Sequence, residues 1–192
     1  MRNATRRILP MLIGAIIMGW SHPLMAQDRV QDGAPTFELG PVFADFGPHV
    51  AVPGVAEFPA DAAFQHSFDV ADGAEGDARN RGFESAARFV NMHAAAGVAP
   101  DNIRVAVVVH GSAVRDLLHD DARAARDLGK TNPSGAMVRA MLDGGVRFIV
   151  CGQSLISSGY RTDELIPGVE IALSAMTAHA QLQQQGYTVN PF

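Results

Sequence analysis

The stretch "NIRVAVVVHG", Asn102 to Gly111, decides the fold. Ile103, Val105, Val107, Val108 and Val109 are β-branched, and towards the end of the run apolar residues no longer alternate with polar ones. A strand with one face in water alternates. A run apolar on both faces belongs to a strand covered on both sides, as inside a parallel sheet. Parallel neighbours are joined by long crossovers, usually helical, so helices should flank this strand along the chain.

The flanking sequence supplies them. Upstream, "HSFDV" (66–70) reads as a short strand and "ADGAEGDARN" (71–80) as a polar turn. "RGFESAARFVNMHAAAG" (81–97) then places Phe83, Ala86, Ala87 and Val90 on one helical face and stops at Gly97. Downstream, Ser112 is positioned to cap a helix with the apolar stripe Val114, Leu117 and Leu118. "TNPSGAMVRAMLDGG" (131–145) predicts another, with Asn132 as N-cap, Pro133 at the first helical position, Ala136, Met137, Ala140 and Met141 inward, and Gly144 as stop. "VRFIVCG" (146–152) is a third strand, and "QSLISSGYRTDELIPG" a polar turn with a short helix. "VEIALSA" reads as a fourth strand, "MTAHAQLQQQG" as a final helix ending at Gly186, and "YTVNPF" as a last short strand. The alternation predicts a three-layer α/β/α sandwich over residues 65–192, with a mostly parallel sheet of about five strands.

Residues 27–64 have another character. Pro41, Pro48, Pro53 and Pro59 prevent a long helix, while Phe37, Phe43, Phe46 and Phe58 are more than a solvated linker needs. The segment is expected to be an extended arm anchored on the domain by its aromatic rings. Ahead of it, Arg2, Arg6 and Arg7 precede the apolar run "ILPMLIGAIIMGW", and Ala26 offers a cleavage point before Gln27. That is the layout of a secretory signal peptide over residues 1–26, and the run is shorter than the ~20 residues a membrane span needs. An ordinary export signal fits better than a twin-arginine one, and no cysteine stands at the cleavage point to accept lipid. The expected location is periplasmic, with no membrane attachment after signal cleavage.

A mature chain of roughly 165 residues suits one domain with a real core. A net charge of -5, with no basic cluster, argues against nucleic acid and anionic membrane as partners. Cys151 is the chain's single cysteine, so no internal disulfide forms. An unpaired thiol in an oxidising compartment is buried and inert, paired with another chain, or used for chemistry.

Ligand crevices of open parallel sheets lie outside the carboxyl ends of the strands. His110 ends one predicted strand and Cys151 another, each followed by glycine. If those strands are neighbours, imidazole and thiol open onto one crevice. The thiolate is the reactive form of cysteine, and amides of a following turn would stabilise it, so Gly152, Gln153 and Ser154 are candidate anion-stabilising residues with His110. The alternatives are that the cysteine serves as a small buried hydrophobe and that the strand-end histidine bonds a backbone carbonyl. The remaining polar clusters carry less. His119, Asp120 and Asp121 read as a solvated charged face, and His66, His93 and His179 as isolated residues, so no metal is expected. Ser154 in "CGQSLI" lacks the last glycine of a nucleophile elbow, and "DGAEGDARNRG" lacks the spacing of a phosphate loop.

From Phe68 to Phe192 the chain resembles the DsrE/DsrF-like (YchN-like) family. The resemblance rests on "FDV", on "VVVHG", on the asparagine and helix ahead of "GGVRFIVCGQSL", and on "PGVEIALSAMTAHAQLQQQGY". A strand ending in cysteine after "GV" is its most specific part. It implies a small α/β domain tied to sulfur transfer, with Cys151 as the carrier of a persulfide and no cofactor. It further implies a sulfur donor and an acceptor protein or small thiol, while length and mild hydrophobicity suit a homo-oligomer. The export signal and long arm depart from the cytoplasmic relay members and imply an exported branch. A binding domain with a silent Cys151 is the alternative.

Overall fold

In the computed structural model, residues 35–55 and 57–190 are described, and the predicted signal peptide lies outside them. Five strands, β1 (Phe64–Val70), β2 (Ile103–Val109), β3 (Arg147–Cys151), β4 (Glu170–Ala172) and β5 (Thr188–Asn190), form one sheet in the order β4-β3-β2-β1-β5. Every pairing is parallel. The valine-rich run is thus the middle strand, and helices occupy the crossovers: α1 (Arg81–Ala95), α2 (Asp120–Ala124), α3 (Gly135–Asp143), α4 (Gly152–Ser157) and α5 (Ala175–Gln184).

Alternation along the strands divides the sheet into two faces. Phe68, Val70, Val105, Val107, Val109, Phe148 and Val150 join one large core with Phe83, Ala86, Ala87 and Val90 of α1 and Met137, Val138 and Met141 of α3. Ala106, Val108 and Ile149 point the other way, into a small core closed by Ala178 and Leu182 of α5. The side chains of Asp69 and Cys151 share this second side by parity with Ala106, Val108 and Ile149.

Local structure differs from the predicted pattern at several points. Ser112 caps no helix: it lies inside a 3-10 turn, Gly111–Leu117, where its hydroxyl accepts from the Gly73 N–H at 2.8 Å and donates to Ala71 O at 3.2 Å. α3 starts at Gly135, because Asn132 closes a turn by accepting from the Ser134 N–H at 2.9 Å while its amide donates to Asp116 O and Leu118 O. The buried face of the helix also differs from the predicted one: Val138 is buried while Ala136 and Ala140 are exposed. The fourth strand shrinks to Glu170–Ala172, since Ser174 leaves the sheet to cap α5, accepting from the Thr177 N–H at 3.1 Å.

The arm lies on the large-core side. Phe43 and Phe46 are buried and stacked with centroids 5.1 Å apart, and Phe58 packs edge-on against Phe64. Phe37 is no anchor, being 63% exposed. Buried Asn91 of α1 does what a strand neighbour would otherwise do: Oδ1 accepts from the N–H groups of Val42 and Phe43, and Nδ2 donates to the carbonyls of Phe43, Phe46 and Gly47.

Candidate functional site

Cys151 is the last residue of β3 and the N-cap of α4, so its sulfur occupies the place where a capping oxygen usually sits. Sγ accepts from the Ser154 N–H at 3.5 Å. Burial pushes the thiol pKa up, but hydrogen bonds from the Ser154 hydroxyl and from the backbone N–H groups of Ser154, Ala175 and Gln153 outweigh it, and the net shift is downward. Gln153 and Ser154 belong to the first turn of α4, and Ala175 is the first residue of α5.

Each predicted neighbour has a definite part. Gly152 is required by close approach, since a Cβ there would lie 2.8 Å from the carbonyl oxygen of Ala172 on β4. Gln153 contributes its N–H, while its side chain donates to Leu173 O at 3.4 Å. Ser154 also accepts from the Gly111 N–H at 3.1 Å, which ties the loop after β2 to the thiol. Gly111 has φ +55°, and a Cβ there would meet Ala71 O at 2.9 Å, so the turn beside His110 admits only glycine comfortably.

His110 and Cys151 do end neighbouring strands, each directly after the register pair Val109 and Val150. The imidazole, however, turns toward β1: His110 Nε2 lies 3.2 Å from both oxygens of Asp69. His179 of α5 approaches the same carboxylate, with Nε2 2.8 Å from Oδ1. Burial raises the Asp69 pKa, but the bonds from His179 and His110 and their charges prevail and hold it below the usual carboxylate value. The sequence reading missed Asp69 and took His179 as isolated. Asp69 stands in a short strand of ordinary composition, and His179 follows it by 110 positions, so no local pattern joins them. The signal available was parity: Asp69 points to the sheet side opposite Phe68 and Val70.

The other histidines have structural tasks. His66 and His93 belong to an aromatic cluster with Phe64 and Phe89, and burial, aided by the nearby His93 charge, lowers the His66 pKa. His119 caps α2 by accepting from the Ala122 N–H at 3.1 Å, and Asp120 accepts from the Asn132 N–H at 2.6 Å, so neither is part of a simple solvated face. Among the described residues no group of three or more His, Cys, Asp or Glu side chains is placed to hold a metal ion.

Two surface features complete the picture. A crevice of about 520 Å³ opens beside Asp69, between the loop after β1 and the start of α1, and is lined further by Asp72, Glu75, Arg79, Arg81 and Ser85. Around the Cys151 loop, Ile156, Ile171, Leu173 and Met176 are exposed, Met176 to 81%. Cys151 itself is 5% exposed.

The fold and the site define a parallel α/β sandwich with one cysteine capped by helix amides at a strand's carboxyl end. Residues 67–191 match the model of the DsrE/DsrF-like family, and the chain belongs to that family, which is associated with sulfur relay. Among solved structures, a protein of unknown function from Methanobacterium thermoautotrophicum is similar at 20% identity, over 66% of this chain and 97% of that one, with a TM-score of 0.45. No curated protein matches.

Proposed function

We propose that this protein is an exported sulfur carrier of the periplasm, with Cys151 as the group that bears the sulfur. The observation that carries the reading is the N-cap position of Cys151, where Sγ accepts from the Ser154 N–H at 3.5 Å; such donors favour the thiolate despite its burial. The Cys151 thiolate attacks the sulfane sulfur of a donor, the donor's sulfur bond breaks, and its leaving group departs with the electron pair. Cys151 then holds a persulfide. An acceptor thiolate attacks the outer sulfur, and the Cys151 thiolate is released to its amides, so the exchange has no net redox change. The donor is a small sulfane compound or a persulfidated protein, and the acceptor a small thiol or a partner cysteine. Assembly as a homo-oligomer belongs to the same reading.

The test is intact mass after incubation with polysulfide or thiosulfate. A gain of one sulfur that reductant removes and Cys151→Ser abolishes is the expected result; no adduct on the wild type overturns the reading.

A second reading has its own support. Cys151 is almost fully buried and does not line the crevice beside Asp69. A binding domain that uses this crevice for a small polar ligand, with the thiol silent, predicts that native Cys151 resists iodoacetamide for hours. Alkylation within minutes, blocked by prior sulfur loading, rejects that alternative.

A further inference from the structure

Resting on the sulfur-carrier reading, the inference concerns what happens to protons during the exchange. An acceptor thiol arrives mostly protonated near neutral pH, and only its thiolate attacks. A carrier that serves such acceptors needs a base beside the crevice. The amides around Cys151 are donors and supply none.

Asp69, His110 and His179 supply one. They come from three elements, β1, the end of β2, and α5, and meet on the side of the sheet to which Cys151 points. An ionised carboxylate only accepts hydrogen bonds, so both Nε2 atoms facing Asp69 carry hydrogen, and in a neutral ring Nδ1 is the nitrogen with a free lone pair. His179 Nδ1 is buried and has no hydrogen-bond partner among the described residues. A structural histidine bonded to a carboxylate would normally satisfy its second nitrogen too. With both rings neutral the cluster carries one negative charge, and after taking one proton it carries none, so it is built to accept a single proton.

Helix α5 links this cluster to the thiol. Cys151 stands in register with Ala172 of β4, α5 begins three residues later at Ala175, and His179 lies one turn further along that helix, about 6 Å of rise away. His110 follows Val109 as Cys151 follows Val150, and the Gly111 N–H bonds the Ser154 hydroxyl that also serves Sγ.

We propose that Asp69, His110 and His179 form a proton relay for sulfur exchange at Cys151, with Asp69 as the positioning residue that fixes both rings. The acceptor thiol gives its proton to the ring of His110, whose side chain is 30% exposed, and the resulting thiolate attacks the outer sulfur of the Cys151 persulfide. The bond between that sulfur and Sγ breaks, its electron pair stays on Sγ, and the outer sulfur leaves on the acceptor with its own proton. The imidazolium then returns its proton to solvent or to Sγ. Atoms and charge balance, and no oxidant is consumed.

The test begins with wild-type protein loaded with one sulfur on Cys151, and measures transfer to N-acetylcysteine at pH 7 and at pH 9.5. In Asp69→Asn, transfer at pH 7 is expected to fall by roughly tenfold to a hundredfold, up to the lower end of what general acid–base catalysis contributes, because Asp69 acts through the rings. At pH 9.5, where the acceptor arrives as thiolate, the rate should return to within about threefold of wild type. Asp69→Glu should recover part of the loss at pH 7. His179→Gln, which leaves Asp69 and His110 in place, provides a second variant should Asp69→Asn fold poorly, and its deficit should show the same pH dependence. Nitrogen-15 NMR of the imidazoles should show hydrogen on Nε2 of both rings in the wild type and a mixture of tautomers in Asp69→Asn. Equal rates in variant and wild type, or a loss of the same size at both pH values, overturn the relay while sulfur loading still stands. Failure of the wild type to load sulfur overturns the carrier reading itself, and the relay with it.

Discussion

Beneath α1 and α3 the sheet offers Phe68, Val70, Val105, Val107, Val109, Phe148 and Val150 to a core sealed further by the arm; beneath α5 it offers only Ala106, Val108 and Ile149. The first side spends most positions on packing, and a buried polar side chain there, Asn91, bonds five backbone groups. On the second side Asp69, Cys151, His110 and His179 interrupt a thin apolar layer. A parallel sheet buried on both faces can thus keep one face for stability and release the other for chemistry, because alternation makes the two nearly independent.

The largest effect that separates the faces should come from Phe148, fully buried and edge-on to Phe83 at 5.2 Å. Phe148→Ala is expected to cost about 3–5 kcal/mol in urea unfolding. Leu182→Ala on the α5 side removes a buried side chain from a much smaller cluster whose lining can relax, and should cost nearer 2 kcal/mol. Equal costs would break the comparison. Next comes Asn91→Ala, which strands the backbone groups of Val42, Phe43, Phe46 and Gly47 and is expected to cost roughly 2–4 kcal/mol. Limited proteolysis should then cut the variant between residues 35 and 55 while the wild type resists. A smaller difference should appear without any mutation: amides of α5 should exchange faster than those of α1, since α5 rests on fewer buried apolar side chains.

How much of this could be read from the chain follows the same division. The large-core side was legible because its code is local: Phe83, Ala86, Ala87 and Val90 recur at helical spacing, and "RVAVVV" is strand-forming throughout. Errors arose where a polar residue had two possible partners. Ser112 and Asn132 carry capping chemistry, yet both bond distant backbone, which spacing along the chain does not encode. On the site side, Cys151 and its amides were legible because Gly152, Gln153 and Ser154 follow it directly. The Asp69 cluster was not, because register between β1 and β2 and the docking of α5 bring its members together. His110 was rightly placed at a strand end, but its partner is Asp69 on β1.

The smallest expected effect tests whether the faces differ in their response to acid. His66 packs on the α1 side against Phe89, and burial, with the charge of His93, lowers its pKa. The unfolded chain therefore takes a proton near pH 6.5 that the folded chain resists, and stability falls as pH drops from that value toward the lower folded one. Asp69, on the α5 side, has its pKa held down, so its contribution is complete above the unfolded value near 4 and is lost only as pH falls through the folded value. Its side chain is 40% exposed, which screens the interaction and keeps the contribution below about 1 kcal/mol. Melting temperatures from pH 7 to pH 3 should therefore fall in two stages. His66→Gln should flatten the first, between about pH 7 and 5, and leave the second; Asp69→Asn should lower the plateau slightly and converge with wild type below about pH 4. If His66→Gln instead altered only the stage below pH 4, the two faces would not titrate separately, and the independence drawn from strand alternation would fail.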